Sequence, residues 1–399
     1  MVQFLLDSVA LFLAIPLLLP VIVLAAECFA GSFGTRKDPD FDAQRPAIAV
    51  LVPAHDEEMQ ITATIRNILS QLQSGDRLVV VADNCSDDTA LLAREAGAEV
   101  VQRRNQMLRG KGYAIDAGVR YLASDPREIV VVVDADCVLE AGAIDTLARM
   151  TETWQRPVQS RYLMVAPPNT GVGLAVSEFA FLLKNRIRCL GLTKLGFPVQ
   201  LTGSGMAFPW PLLQEMDLAT GHLVEDMKLG LDLAEAGYAP QFCDAAVVRS
   251  TFPYSQKALK VQASRWDDGR AGMTSSLLRV LLKPKTFQNR EYLALVVDAL
   301  VPPLSLLAAM LVAVLAATGL IASLGGNLIP HAIAVFAAVL FFGSVTAAWY
   351  QHGRQILPVR SLREIPAYAA WKVARVPLRV LRPGGSVWIR TDRAGPADV

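Results

Sequence analysis

The sequence predicts an α/β protein: a doubly wound, mostly parallel sheet carried between one N-terminal and two C-terminal membrane-spanning helices. Three observations predict it. Residues 46–133 alternate short β-branched apolar runs with helical stretches. Three other runs are long and apolar enough to cross a bilayer. The 399 residues are 53% hydrophobic and 19% charged, too apolar for an ordinary soluble enzyme and too charged for a bundle buried wholly in lipid. The formal net charge of +1 gives no global field to attract nucleic acid, so no nucleic-acid partner is expected. The five cysteines (Cys28, Cys85, Cys137, Cys189 and Cys243) are scattered, with no CxxC pair, which speaks against a disulfide framework or a zinc site.

The first apolar run covers Val2 to Ala26, with Asp7 its only charge. At ~1.5 Å per residue, about 20 residues cross the hydrocarbon core. Pro16 and Pro20 kink such a helix without forbidding it. A cleaved signal peptide fits less well, because no basic segment opens the run. A lipoprotein anchor at Cys28 fails because Glu27 is not the small residue required before it. Two further runs are Tyr292–Ser323, with Asp298 near its start, and Leu328–Tyr350; Gly325, Gly326, Asn327 and Pro330 separate them. Basic residues follow the first run (Arg36, Lys37), precede the second (Lys283, Lys285, Arg290) and follow the third (Arg354, Arg360, Arg363, Lys372, Arg375, Arg379, Arg382). The positive-inside bias then puts the middle domain and the tail in the cytoplasm of a bacterial-type inner membrane. Ile365–Leu381 mixes Trp371, Val373, Val376 and Leu378 with Lys372, Arg375 and Arg379, as an amphipathic interface helix would. The expected division is a membrane helix over 1–27, a catalytic domain over 40–285, membrane helices over 292–323 and 328–350, and a basic tail over 351–399.

Within the middle domain, strands are expected at Ile48–Val52, Arg77–Ala82, Glu99–Gln102 and Ile129–Val133. Helices are expected at Met59–Leu72, Thr89–Ala96 and Lys111–Leu122. Continuous apolar strands suit a parallel sheet covered on both faces, and such sheets bind ligands beyond the C-terminal ends of their strands. The polar residues of interest fall there. The first strand leads into His55-Asp56-Glu57-Glu58, where acids also suit a helix N-terminus. The second leads into Asp83-Asn84-Cys85-Ser86-Asp87-Asp88-Thr89; a helix cap explains Asp88 or Thr89 but not Asp83, a carboxylate placed to accept from a base or ribose. Arg109-Gly110-Lys111-Gly112 places glycines around a lysine at a helix start, which allows close approach to a phosphate.

The fourth strand ends in Asp134-Ala135-Asp136, two acids that can hold a hard divalent cation. Thr202-Gly203-Ser204-Gly205 reads as a turn, and Glu225-Asp226 as acids at the start of a helix over Met227–Ala236. Gln262, Arg265 and Trp266 put an amide, a guanidinium and an indole within about one helical turn; phosphate and sugar contacts or amphipathic packing both explain them.

Taken in order over Pro46–Trp266, these motifs resemble the family 2 glycosyltransferases of GT-A fold, and among them the membrane branch of cellulose, chitin and hyaluronan synthases. The resemblance implies an inverting, metal-dependent hexosyltransferase with a doubly wound mixed, mostly parallel sheet. Pro53, Glu57, Asp83, Lys111, Asp134 and Arg265 would bind the nucleotide-sugar donor, with uridine the expected base. Asp136 would bind Mg²⁺ or Mn²⁺. Gly203, Ser204, Gly205, Glu225, Gln262 and Trp266 would bind the acceptor, and Asp226 would be the general base. His55-Asp56 and Val224 depart from the commonest family pattern, and the three expected spans are fewer than in cellulose synthase-like enzymes. The implied acceptor is a growing polysaccharide, with an export partner or homo-oligomer as an expected associate. The alternative is a single transfer to a membrane lipid, as in ceramide glucosyltransferase, with Val172–Leu192 and its Lys184, Arg186 and Arg188 as a sideways gate or a scaffold helix.

Overall fold

The structure is a computed structural model that describes residues 2–33, 44–168 and 170–365. The described residues divide into two compact units, one of residues 44–168 and 198–295, the other of residues 2–33, 170–197 and 296–365.

The first unit is built on an eight-stranded sheet. Its strands are β1 (Ile48–Ala54), β2 (Arg77–Asp83), β3 (Glu99–Arg103), β4 (Ile129–Val132), β5 (Val138–Leu139), β6 (Val158–Val165), β7 (Met206–Pro209) and β8 (Gln241–Thr251), in the order β3-β2-β1-β4-β7-β6-β8-β5. β1 pairs in parallel with β2 and β4, and β2 with β3. Every residue of β4 is buried, as is nearly every residue of β1 and β2, which is why these strands read as unbroken apolar runs. The helix Lys111–Leu122 lays Ala114, Ile115, Val119 and Leu122 into a core with Leu51, Val79, Val81 and Val130.

The sheet becomes mixed at β7, which runs antiparallel to both β4 and β6. Val132, the end of β4, pairs with Met206, the start of β7. The residues after β4 and those before β7 therefore meet at one sheet edge, and Asp134 comes beside Gly203–Gly205. The four later strands were not foreseen. β6 and β8 mix polar with apolar residues without a clean alternation, as in Gln159-Ser160-Arg161-Tyr162 of β6, and the β6–β8 register shifts at Ser160/Arg161.

Among the described residues, the second unit holds three helices long and apolar enough to cross a membrane: Gln3–Ser32, Leu304–Ser323 and Ile329–Gly353. The expected run Tyr292–Ser323 is not one helix. It breaks at Pro302-Pro303 into the helices Arg290–Ala299 and Leu304–Ser323, because proline offers no backbone N–H and disfavours helical geometry in the residue before it. Residues 172–194 form a helix with a π-turn at Leu183–Ile187, and its final segment, Arg188–Lys194, packs on the N-terminal helix. Gly31 and Gly191 make that crossing: a side chain on either would run into the backbone carbonyl of Ile187 or of Glu27. Arg188, expected on the polar face of an amphipathic stretch, is instead buried. Its Nε donates to Glu27 Oε2 at 2.5 Å and its Nη2 to Asp298 Oδ1. Two acids and one guanidinium satisfy one another where water is excluded. The interface helix expected at Ile365–Leu381 lies outside the described residues beyond Ile365.

Candidate active site

The loops after β1 and β2 are tied together by their own polar groups. Asp56 and Asn84 both adopt φ 54°, a left-handed conformation that short polar side chains tolerate. The Asp56 carboxylate accepts the Ser86 N–H at 2.6 Å, and the Glu57 N–H donates to Thr89 Oγ1 at 2.7 Å. Thr89 and Asp87 therefore fasten one loop to the next, and Glu57 is placed by its backbone. Pro53 lies opposite Val81 in the β1–β2 ladder. Asp83 is buried at the end of β2, where Arg103 Nη1 donates to its Oδ1 at 2.6 Å. Arg103 also donates to the Leu108 carbonyl and sits over the Tyr113 ring. The sequence reading missed Arg103. Its signal was the register: β3 runs one residue past Gln102, which puts Arg103 directly across from Asp83.

The acidic centre lies beyond β4. The Asp134 N–H donates to Ser204 Oγ at 3.0 Å, and the Cys137 N–H closes the turn on the Asp134 carbonyl at 3.1 Å. The Lys111 ammonium, at the first turn of its helix, is ion-paired with Asp134, donates to the Gly203 carbonyl at 2.6 Å and lies 4.0 Å from Glu225. Burial depresses the lysine's pKa, but Asp134, Glu225 and Asp226 outweigh it and hold the group above its ordinary value. Glu225 is pushed up to about 7, first by burial and then by the neighbouring Asp226 charge. Asp226 lies across the Gly203 turn: a Cβ on Gly203 would be 3.4 Å from Asp226 Oδ2 and 3.5 Å from Lys111 Nζ. The φ of 95° at Gly203 is what makes glycine favoured at that position.

Two expectations about the glycines change. Gly112 does not leave room for a phosphate. A Cβ on Gly112 would sit 2.6 Å from the Thr220 carbonyl and 2.7 Å from that of Leu218, so the space is filled by the loop that leads to Glu225 and Asp226. Ser204 and Gly205 lie beneath the centre: Ser204 is fully buried, and a side chain on Gly205 would collide with Ser160. Gln262 is buried in the helix Gln256–Val280, with Arg265 and Trp266 partly exposed. That helix meets the loop before Glu225 at Gly269, whose Cβ would lie 2.9 Å from Val224 Cγ1. The structure thus gathers Lys111, Asp134, Asp136, Gly203, Glu225 and Asp226 at one place, sets Asp83 and Glu57 on adjoining loops, and leaves Gln262, Arg265 and Trp266 on a separate helix.

Asp134, Asp136 and Cys137 each offer a ligand atom, all within 4.8 Å of one another. Burial, and after it the Asp134 charge, pushes the Cys137 thiol up to about 12, and the two carboxylates are the hard oxygen donors of the cluster. Such a pair fits a magnesium- or manganese-like ion. A cavity of about 20 Å³, enough for one water, lies beside Gly112, Glu225 and Asp226. A larger one of about 270 Å³, lined by Asn67, Gln71, Leu139 and Asp145, touches none of these acidic residues.

Residues 46–269 match the family described as glycosyltransferase like family 2. The chain belongs to that family. This glycosyltransferase is 29% identical over 197 residues to an uncharacterised glycosyltransferase of Mycobacterium tuberculosis, covering 44% of this chain and 85% of that protein. It is 27% identical over 197 residues to the 4,4'-diaponeurosporenoate glycosyltransferase of Staphylococcus haemolyticus, covering 46% of this chain and 50% of that one. Among solved structures, a mannosyltransferase from Pyrobaculum calidifontis in complex with GDP-Man and Mn²⁺ superposes with a TM-score of 0.56 at 18% identity, covering 88% of this chain and 98% of that chain. That likeness is one of fold and agrees with the GT-A architecture expected from the motifs. None of the comparisons singles out the cellulose, chitin and hyaluronan synthase branch.

Proposed function

We propose that this glycosyltransferase is membrane-bound and moves a sugar, with inversion, from a nucleotide diphosphate donor to an acceptor hydroxyl, with Asp226 as the general base. The observation that carries the reading is the convergence of Lys111, Asp134 and Asp226 on the Gly203 turn. Asp226 takes the proton of the attacking hydroxyl, which must lie within ~3 Å of the carboxylate. Asp136, with Asp134 beside it, holds the divalent ion, which when bound neutralises the departing diphosphate. Lys111 adds a fixed positive charge there, and Asp83 takes the base or ribose. Arg265 assists at the diphosphate and Trp266 at the acceptor, as their QxxRW spacing suggests. The three apolar helices anchor the chain, with the catalytic unit on the cytoplasmic side.

For the acceptor, the reading favoured is a membrane lipid receiving a single sugar. Three helices of membrane length support it, and so does the relative named for transfer to diaponeurosporenoate. The polysaccharide reading rests on the resemblance of the motifs over Pro46–Trp266, taken in order, to the cellulose, chitin and hyaluronan synthases. The test is purified protein with a panel of UDP- and GDP-sugars, Mg²⁺ or Mn²⁺, and membrane lipid extract, reading nucleotide release and product size. A small, solvent-extractable product supports the lipid acceptor, and a high-molecular-weight product the polymer. Asp226→Asn should bind donor normally and lose transfer; turnover at the wild-type rate would remove Asp226 as the base.

A further inference from the structure

The turn that carries Asp134 and Asp136 is supported by a chain of buried polar groups with a defined direction. Gln159 of β6 is 1% exposed. Its Oε1 accepts the Thr202 N–H at 2.8 Å and its Nε2 donates to the Ser204 carbonyl at 2.9 Å, which clips both sides of the glycine turn. The Ser204 hydroxyl accepts the Asp134 N–H at 3.0 Å and donates its single proton to Cys137 Sγ at 3.2 Å. The Cys137 thiol has one proton left to give, and Asp136 Oδ1 lies 3.7 Å away. Thr64 holds the same turn from below by donating to the Ala135 carbonyl at 2.7 Å. Gln159 Nε2 also donates to the Ser160 carbonyl at 3.0 Å, the Ser204 hydroxyl and the Cys137 thiol have one proton each, and the relay ends on a carboxylate, the one group in it that only accepts.

From this we infer that Ser204 and Cys137 are positioning residues for Asp136: the relay Gln159–Ser204–Cys137 fixes the rotation of that carboxylate and so sets the affinity of the divalent-ion site. The inference rests on the proposed metal role of Asp136. Ser204, expected to line an acceptor pocket, then acts on the metal acid from beneath, through a thiol. Sulfur suits the middle position because its long C–S bond and diffuse lone pairs bridge 3.2 and 3.7 Å contacts. If Cys137 were only buried filler, removing its sulfur would change stability and nothing else.

The experiment is a Mn²⁺ titration of the full-length protein in detergent, followed by the electron paramagnetic resonance signal of free Mn²⁺, with no donor present. Cys137→Ala and Ser204→Ala should each weaken Mn²⁺ binding by about tenfold or more, the range seen when the outer support of a ligand is lost. Cys137→Ser keeps a donor and an acceptor at that point on a shorter bond and should recover part of the affinity lost in Cys137→Ala. Thermal unfolding of each variant, read in the same detergent, separates loss of the relay from loss of the fold, and Ser204→Ala carries the test if Cys137→Ala unfolds. Wild-type affinity in both alanine variants would overturn the relay. So would an equal loss in Cys137→Ser and Cys137→Ala, because it would make the sulfur itself the ligand. Asp136→Ala is the control on the underlying reading: if it too binds Mn²⁺ like wild type, the metal role of Asp136 is what fails.

Discussion

Replacing Gly112 with alanine should weaken this protein, although helix propensity alone argues the reverse. Gly112 is the second residue of the helix Lys111–Leu122, and glycine to alanine in a helix interior is ordinarily worth up to about 1 kcal/mol of added stability. Here the new Cβ would lie 2.6 Å from the Thr220 carbonyl oxygen, 2.7 Å from that of Leu218 and 2.9 Å from Thr220 Cγ2. Carbon and oxygen do not ordinarily approach closer than about 3.3 Å, so the loop must retreat by roughly 0.7 Å. Both carbonyls are backbone, and no side-chain rotation relieves the overlap. Overpacking of this kind costs about 1–3 kcal/mol, which leaves a net loss of roughly 0–2 kcal/mol. The functional cost should be larger. The loop runs straight into Glu225 and Asp226, and a misplacement near 1 Å can cost about a hundredfold in rate. Gly272 is the control: it lies inside the helix Gln256–Val280 with no atom within 4 Å of its Cβ position. Gly272→Ala should gain about 0.5–1 kcal/mol, a rise of a few degrees in Tm. The assays are thermal unfolding in detergent and nucleotide release. If Gly112→Ala raises Tm as Gly272→Ala does and turns over normally, the loop does not hold Glu225 and Asp226 through that contact.

Other perturbations follow from the same geometry. Arg188→Ala leaves Glu27 and Asp298 buried without their guanidinium and should cost about 3–5 kcal/mol, read as a fall in Tm, whereas the triple change Glu27→Gln, Arg188→Met, Asp298→Asn should restore most of it. Glu225 has its folded pKa raised to about 7 against an ordinary value of 4.5, so the folded protein holds the extra proton between those limits. Its contribution to stability is full below about 4.5 and is lost as pH rises through about 7. Glu225→Gln should flatten that slope and be the more stable form at pH 8, checked by unfolding at a series of pH values. Lys111→Gln removes the cation between Asp134 and Glu225 and should lose on the order of 1–3 kcal/mol together with most of the transfer rate. A variant that unfolds and turns over like wild type would show that the ion pair carries neither.

The first half of the sheet was legible because parallel strands covered on both faces must be apolar throughout. Ile48–Ala54 and Ile129–Val132 therefore announce themselves, and so do the acids that follow them. β6 and β8 were not legible, since a strand with Gln159, Ser160 and Arg161 in sequence resembles a loop until its partners are known. The run Tyr292–Ser323 looked continuous because average hydropathy does not register that two prolines remove two backbone donors. The acids of the candidate site were named from their order along the chain, whereas Arg103, Gln159 and Cys137 were not, because each matters only through a neighbour distant in sequence.

Residue type and spacing by themselves determined that this chain has an α/β domain, three helices of membrane length and a set of carboxylates at strand ends. Those properties follow from local periodicity and from which side chains water rejects. The tertiary structure decided what the glycines, Ser204 and Arg188 are set against. β7 runs antiparallel to β4 and brings Gly203 to Asp134, Gly112 admits the loop that delivers Asp226, and a helix crossing buries Arg188 between two acids. A glycine, a serine or an arginine carries no label for such a role: its value comes from the atom placed against it, and only the folded chain places that atom.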